Sequence, residues 1–371
     1  MKRIVLAYSG SLESSAAIAW LREAHHADVI AVTVDLGQRQ PLEEVRDRAL
    51  AAGAVRAHVL DLRETFARDF VIPSLQADAV SDSGCPSIAA LGRPLIARGL
   101  ADIAAIEQAP GAAHACAAGS RDEARIETAV RALNPSLTIC APAREWRMSR
   151  SETIAYAQQH GVPAPADATS ALRGDGNLWG RTIAGGLPAD PWNEPPEAMY
   201  LLTQAPAERP AEPAYVELAF DRGAPAAING VAMPILDLVG SLTTIAGAHG
   251  VGRMDTIAPS TTGAPWRQLC EAPAALVLHA AHRDLQAFVT EPDLVRFARE
   301  VSRQYADLIE SGSWFTPMRE ALDACIGRVQ QRVTGTVRLK LFKGDCRIVG
   351  RQSPHTARGE MTPAPPLAAG A

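Results

Sequence analysis

Short apolar runs alternate with helix-like stretches through residues 1–165, and this alternation limits the fold more than any other feature. The β-like runs are Lys2–Ala7, Asp28–Val34, Ala57–Leu60, Ala112–Ala117 and Leu137–Cys140. Helical patterns cover 14–24, 41–52, 63–78, 93–108, 122–133 and 149–160. Apolar strands separated by crossover helices predict a parallel sheet covered on both faces, an α/β domain. Such sheets bind ligands outside the carboxyl ends of their strands. The segments Ser9–Ser15, Asp35–Gln38 and Ala117–Asp122 each follow a β-like run, so all three are expected to line one crevice.

Gly161–Asp167 reads Gly-Val-Pro-Ala-Pro-Ala-Asp and breaks the pattern, placing a domain boundary there. Residues 172–352 mix β-like runs (Tyr215–Phe220, Ala275–Ala280, Val337–Phe342, Asp345–Val349) with helices near 235–248, 281–287 and 291–311. Without regular alternation this half is expected to be α+β. Residues 353–371 are rich in Pro, Ala and Gly and are expected to be disordered. A net charge of −5 argues against nucleic acid or an anionic membrane as partner. No run of 18 uncharged apolar residues or signal-peptide pattern is present, so a cytoplasmic protein is expected. The six cysteines form no metal or redox spacing and read as small buried hydrophobes.

The first β-like run ends in Ala7-Tyr8-Ser9-Gly10-Ser11-Leu12-Glu13-Ser14-Ser15 and opens a helix. Backbone N–H groups and the helix dipole favour an anion at such a turn. Gly10 permits close backbone approach, and the Ser9, Ser11, Ser14 and Ser15 hydroxyls add donors. The loop reads as a phosphate cradle. It is not a Walker A loop, because no Gly-Lys-Ser/Thr follows, and a simple turn is the alternative. Trp146, Trp179 and Trp192 read as core or interface residues, and His25-His26 as solvated surface.

With Val32-Thr33-Val34-Asp35-Leu36-Gly37-Gln38 added, the chain resembles the argininosuccinate synthase family. That family opens with Ala-Tyr-Ser-Gly-Gly-Leu-Asp-Thr-Ser and a later Asp-Leu/Ile-Gly-Gln. Further echoes are Arg93-Pro94-Leu95-Ile96-Ala97, Asn177-Leu178-Trp179-Gly180-Arg181, Asp190-Pro191-Trp192 and His249-Gly250-Val251-Gly252-Arg253-Met254-Asp255. The resemblance implies an ATP-pyrophosphatase domain of the adenine nucleotide alpha hydrolase type and a synthetase domain. It implies ATP and Mg²⁺, with Mg²⁺ held through ATP and Glu13 as its candidate carboxylate. It assigns Ala7, Tyr8, Ser9, Gly10, Ser11, Glu13, Ser14, Ser15, Thr33, Gln38, Arg93 and His114 to the nucleotide. Arg121, Asp122, Arg125, Arg173, Asp175 and Thr182 fall on the substrate side, with Ser9, Asp122 and Arg125 as catalytic candidates.

The departures are informative. Ser11 and Glu13 stand where the family has Gly and Asp, and a positive φ at Ser11 would strain the loop. The family's Thr and Ser before Ala-Arg-Pro become Ala89 and Ala90, and its preceding Tyr has no Tyr counterpart here. Its aspartate-binding Thr becomes Ala117, its Asn becomes Arg121, a Ser becomes Arg173, the citrulline-binding Glu becomes Ala258, and a later Tyr becomes Cys270. Counting Glu123 for Gln against the three changes that add charge leaves the pocket about +2 relative to the family. The expected substrates are therefore small and amino-acid-like, shifted toward carboxylate- or phosphate-rich compounds. Unaltered argininosuccinate synthesis and a non-catalytic nucleotide- or partner-binding relative are the alternatives. Residues 355–371 lack the family's long C-terminal helix, which argues against a family-type tetramer and leaves a smaller homo-oligomer open.

Overall fold

A computed structural model describes residues 2–81, 83–163, 173–184, 191–258 and 266–355. The expected alternation holds through the first half. In chain order come β1 (Lys2–Ala7), α1 (Leu12–Ala24), β2 (Ala27–Asp35), α2 (Leu42–Ala51), β3 (Arg56–Asp61), α3 (Arg63–Phe66), α4 (Ile72–Gln76), α5 (Ile88–Ile106), β4 (Gly111–His114), α6 (Arg121–Leu133), β5 (Thr138–Cys140), α7 (Pro142–Trp146) and α8 (Arg150–Gln159). A π-helical turn, Ala67–Val71, joins α3 to α4. The five strands pair in parallel in the order β3-β2-β1-β4-β5. Burial on both faces explains the near-continuous apolar run of β2, where Val29, Ile30, Ala31, Val32, Thr33 and Val34 are all buried. Leu12, Ile18, Leu21, Val45 and Ala49 of α1 and α2 cover one face, and Ile88, Leu91, Leu95, Ile126 and Val130 of α5 and α6 cover the other.

The second half carries β6 (Arg173–Asn177), β7 (Gly180–Ala184), β8 (Ala214–Asp221), β9 (Ala224–Ile228), β10 (Val231–Ala232), α9 (Ile235–Ala248), β11 (Arg253–Ala258), β12 (Trp266–Glu271), α10 (Pro273–Val289), α11 (Pro292–Ser311), α12 (Pro317–Gln330), β13 (Gly335–Phe342) and β14 (Asp345–Gln352). Two antiparallel sheets result, ordered β10-β9-β8-β13-β14 and β11-β12-β7-β6. The fold is therefore a parallel α/β domain followed by an α+β region, as the patterning indicates.

Several local expectations are corrected. Ala275–Ala280 is helix, not strand. Pro273 stands in the first turn of α10, and the buried residues Ala274, Leu278, Ala281, His282 and Leu285 recur at helical spacing. The helix expected at 93–108 begins at Ile88, and the strand expected through Ala117 ends at His114. Trp179 is buried and Trp146 packs edge-to-face on Trp20, whereas Trp192 is 92% exposed and not in the core. His25 is not simply solvated, because its Nε2 lies 3.2 Å from a Glu145 carboxylate oxygen. The boundary at Gly161–Asp167 and the tail at 353–371 fall largely outside the described residues. Among the described residues no helix is long and apolar enough to cross a membrane.

Candidate active site

Strand order makes the site. With β2, β1 and β4 adjacent, the loops that follow them emerge side by side at the carboxyl edge of the sheet. The loop after β1 is held from below. The Tyr8 N–H donates to the Val32 carbonyl at 2.8 Å, and Thr33 Oγ1 donates to the Tyr8 carbonyl at 2.9 Å. Tyr8 is buried, which pushes its phenol pKa up against the opposing pull of a 2.9 Å hydrogen bond with the Ser15 hydroxyl. Gly10 has φ +78°, a left-handed conformation that glycine adopts without steric cost. A Cβ there would sit 3.2 Å from Val45 and from the Arg48 guanidinium, which donates to the Gly10 carbonyl at 2.9 Å. Arg48 places a positive charge beside the loop. Its position within α2, 38 residues downstream, gave no local signal of that role.

The strain considered for Ser11 is absent. Its φ is −69°, and it is the N-cap of α1, its hydroxyl accepting the Ser14 N–H at 3.2 Å. Ser9 is exposed, with its hydroxyl 3.1 Å from Ser11 Oγ and 3.4 Å from Ser14 Oγ. The cap thus takes up one N–H of the cradle while Ser9 faces outward above the helix N-terminus. Ala7 closes β1 opposite His114, the last residue of β4. Glu13 pairs with Arg150 of α8 at 2.8 Å.

The other loops are braced internally. Gln38 accepts the Leu36 N–H at 2.7 Å and donates to the Val34 carbonyl at 2.9 Å. The β6–β7 turn docks on this loop, with the Leu178 N–H donating to the Leu36 carbonyl at 2.7 Å. His114 is buried, and burial holds its imidazole below the ordinary range. Its Nε2 lies 3.5 Å from Glu127. His114, Glu123 and Glu127 could offer atoms to a metal, but Arg144 Nη1 bridges both carboxylates at 2.9 Å each and already satisfies them.

A cleft of about 1020 Å³ lies between the two halves of the chain and takes in the N-terminal turn of α6, Asp175 and Thr182. Its charged wall is one continuous row. Arg93 of α5 donates to Asp122 at 2.7 Å and also to Asp175 of β6. Asp122 accepts from Arg125 at 2.8 Å, and Arg125 donates to the Glu310 carbonyl at 2.9 Å and to its carboxylate. Burial alone would raise the Asp122 pKa, but Arg93 and Arg125 hold its carboxyl far below the usual range. Burial likewise works against a charged Arg93, and the carboxylates of Asp175 and Asp122 outweigh it, keeping the guanidinium protonated. Thr182 Oγ1 donates to the Asp175 carbonyl at 3.3 Å. Arg121 Nη1 stands 3.9 Å from the Glu310 carboxylate.

A carboxylate from a distant helix stands against two of these arginines. Glu310, supplied by α11, meets Arg125 and Arg121, and a separation of 185 residues hid it from sequence reading. Arg173 has its backbone in β6, while its side chain and that of Ala258 lie outside the described residues. The cysteine expectation is also corrected. Cys85, before α5, is joined by a disulfide to Cys270 of β12, both buried, across 185 residues that no spacing rule could connect. Cys85, with Ala89 and Ala90, makes part of the cleft wall small and apolar.

Two family models match the chain in succession. Residues 3–163 match the family model described as the arginosuccinate synthase N-terminal HUP domain, and 173–360 match the arginosuccinate synthase C-terminal domain. The argininosuccinate synthase of Symbiobacterium thermophilum is 46% identical over 356 residues, covering 96% of this chain and 89% of that protein. Those of Rubrobacter xylanophilus and Synechococcus elongatus are each 44% identical over 353 residues, covering 95% of this chain and 86% and 88% of theirs. Matched along both halves, the chain belongs to the argininosuccinate synthase family of ATP-dependent carbon–nitrogen ligases.

Proposed function

We propose that the chain joins citrulline and aspartate with ATP to form argininosuccinate, the product named by its relatives. The observation that carries this reading is the placement of a serine-framed helix N-terminus and a charged cleft at one sheet edge. Ser9, Ser11 and the first N–H groups of α1 take the pyrophosphate end of ATP, with the buried Ser14 and Ser15 bracing the loop and Arg48 as a fixed cation beside it. The ureido oxygen of the acceptor attacks the α-phosphorus, an O–P bond forms, and pyrophosphate leaves. The amine nitrogen then bonds to the activated carbon, the C–O bond to AMP breaks, and the amine gives up its proton. Arg93, Asp122, Arg125 and Asp175 position the two organic substrates, so catalysis is mainly positioning and charge stabilisation.

Mg²⁺ supplies counter-charge to the pyrophosphate when bound. The donors on the loop are neutral hydroxyls and one carboxylate, Glu13, which Arg150 already engages. This set suits a hard cation carried in by phosphate oxygens better than a prebuilt protein cage. The reaction is placed in the cytoplasm.

A second reading shifts the acceptor away from citrulline. Ala89 and Ala90 favour it, because small apolar side chains line the cleft where the family carries polar groups. Each lost hydrogen bond to a charged substrate group costs roughly 1.5–3 kcal/mol. Isothermal calorimetry with ATP and Mg²⁺ tests the shared part of both readings. Ser9→Ala should weaken ATP binding by about tenfold or more. An unchanged affinity would show that the loop is only a turn.

A further inference from the structure

The Arg125 side chain is 9% exposed, and three of its five N–H donors go to Asp122 and to the main chain and carboxylate of Glu310. A planar guanidinium held this way is bound as it would be by a substrate carboxylate. The approach is fixed by backbone. Gly312 ends α11 at φ +76°, and a Cβ there would lie 2.6 Å from Arg125 Cα and 2.7 Å from its carbonyl. The helix end therefore seats directly on α6 and delivers Glu310 into the cleft. Glu310 also stands 3.9 Å from Arg121. The ion-pair row along this wall then sets Arg121, Arg125 and, behind them, Arg93 against Asp122, Asp175 and Glu310, three positive charges and three negative.

We propose that Glu310 is a specificity-determining residue that occupies Arg125 as an internal carboxylate and so disfavours substrates presenting a carboxylate at that end of the cleft. The assignment rests on the cleft being the substrate site of the proposed ligase. It makes a prediction about charge recognition that needs no turnover. A neutral headgroup enters a balanced row. A carboxylate, citrulline's included, must compete with Glu310 for the Arg125 guanidinium.

The test is calorimetry on the full-length chain with citrulline and with its carboxamide, at low salt and without ATP. Glu310→Gln keeps the side-chain volume and leaves the main-chain acceptor of Arg125 in place, so its melting temperature should stay close to that of the parent. Removing the charge should tighten citrulline binding about tenfold, an effect that fades as salt is added. Binding of the carboxamide should not tighten. Glu310→Asp retains the charge and should stay within about twofold of the parent. Asp307→Asn removes the same charge from an exposed cleft residue on the same helix and should also change little. An unchanged citrulline affinity in Glu310→Gln, including no binding to either chain, overturns the proposal. An equal gain in Asp307→Asn overturns it too, because bulk charge would then suffice. If the affinity shift appears while no pyrophosphate is ever released, the ligase reading fails and the role of Glu310 stands.

Discussion

Glu271 gives the sharpest stability prediction in the molecule. It sits on β12 beside Cys270, is completely buried, and acts as an anchor for the 200–203 segment. Its carboxylate accepts the N–H groups of Leu201 at 2.8 Å, Leu202 at 2.9 Å and Thr203 at 3.1 Å, and the Thr203 hydroxyl at 2.8 Å. Arg181 stands 3.4 Å away as the charge partner. Glu271→Ala would orphan four close donors and leave a largely buried guanidinium short of its anion. Each unsatisfied buried donor costs about 1–3 kcal/mol, and water entering the vacated space would recover part of the total. The net destabilisation should be about 3–5 kcal/mol, the range for breaking a buried charge pair. Glu271→Gln should fall between the two, since its amide N–H₂ would face other donors on one side. Urea unfolding followed by tryptophan fluorescence and circular dichroism should show the midpoint falling by roughly 1 M at similar slope. A shift worth less than about 1 kcal/mol would refute the view that this carboxylate holds the segment.

Two further outcomes follow from the geometry. Ser11→Ala should destabilise the chain by about 0.5–2 kcal/mol through loss of the α1 cap, whereas Ser11→Gly should cost only a few tenths; equal effects in thermal melts would remove the capping role. Burial alone would push the Asp78 carboxyl up, but hydrogen bonds from His279 and Arg283 hold it down to about 2. That depressed pKa gives stability that is full above the ordinary pKa of 3.8 and is lost as pH falls toward 2. Asp78→Asn should remove roughly 2–3 kcal/mol at neutral pH, with the difference from the parent shrinking below pH 4. A constant difference down to pH 2 would contradict it.

Legibility in the sequence tracked how local each feature is. The central strands β1 and β2 were readable because burial on both faces forces unbroken apolar runs such as Val29–Val34. The helices at 235–248 and 292–311 were readable from their length and spacing. Ala275–Ala280 was misread because a short, fully apolar run has no period to distinguish helix from strand. The phosphate loop stood out because strand, Ser/Gly turn and helix are contiguous. The φ of Ser11 and its cap could not be read, since a hydroxyl may serve a ligand or its own backbone. Arg48, Glu310 and the Cys85–Cys270 pair reach their partners across 38 to 185 residues, and only tertiary packing brings them together. Glu310 arrives from a helix outside every motif that marks the site.

Coupled detection of AMP and pyrophosphate with purified protein, ATP, Mg²⁺, citrulline and aspartate tests the central claim most directly. The expected result is equimolar AMP and pyrophosphate, dependent on both organic substrates and cut sharply by Ser9→Ala. Pyrophosphate released with other acceptors but not with citrulline would select the shifted-acceptor reading. A folded chain that neither binds ATP nor releases pyrophosphate with any acceptor would contradict the ligase assignment itself.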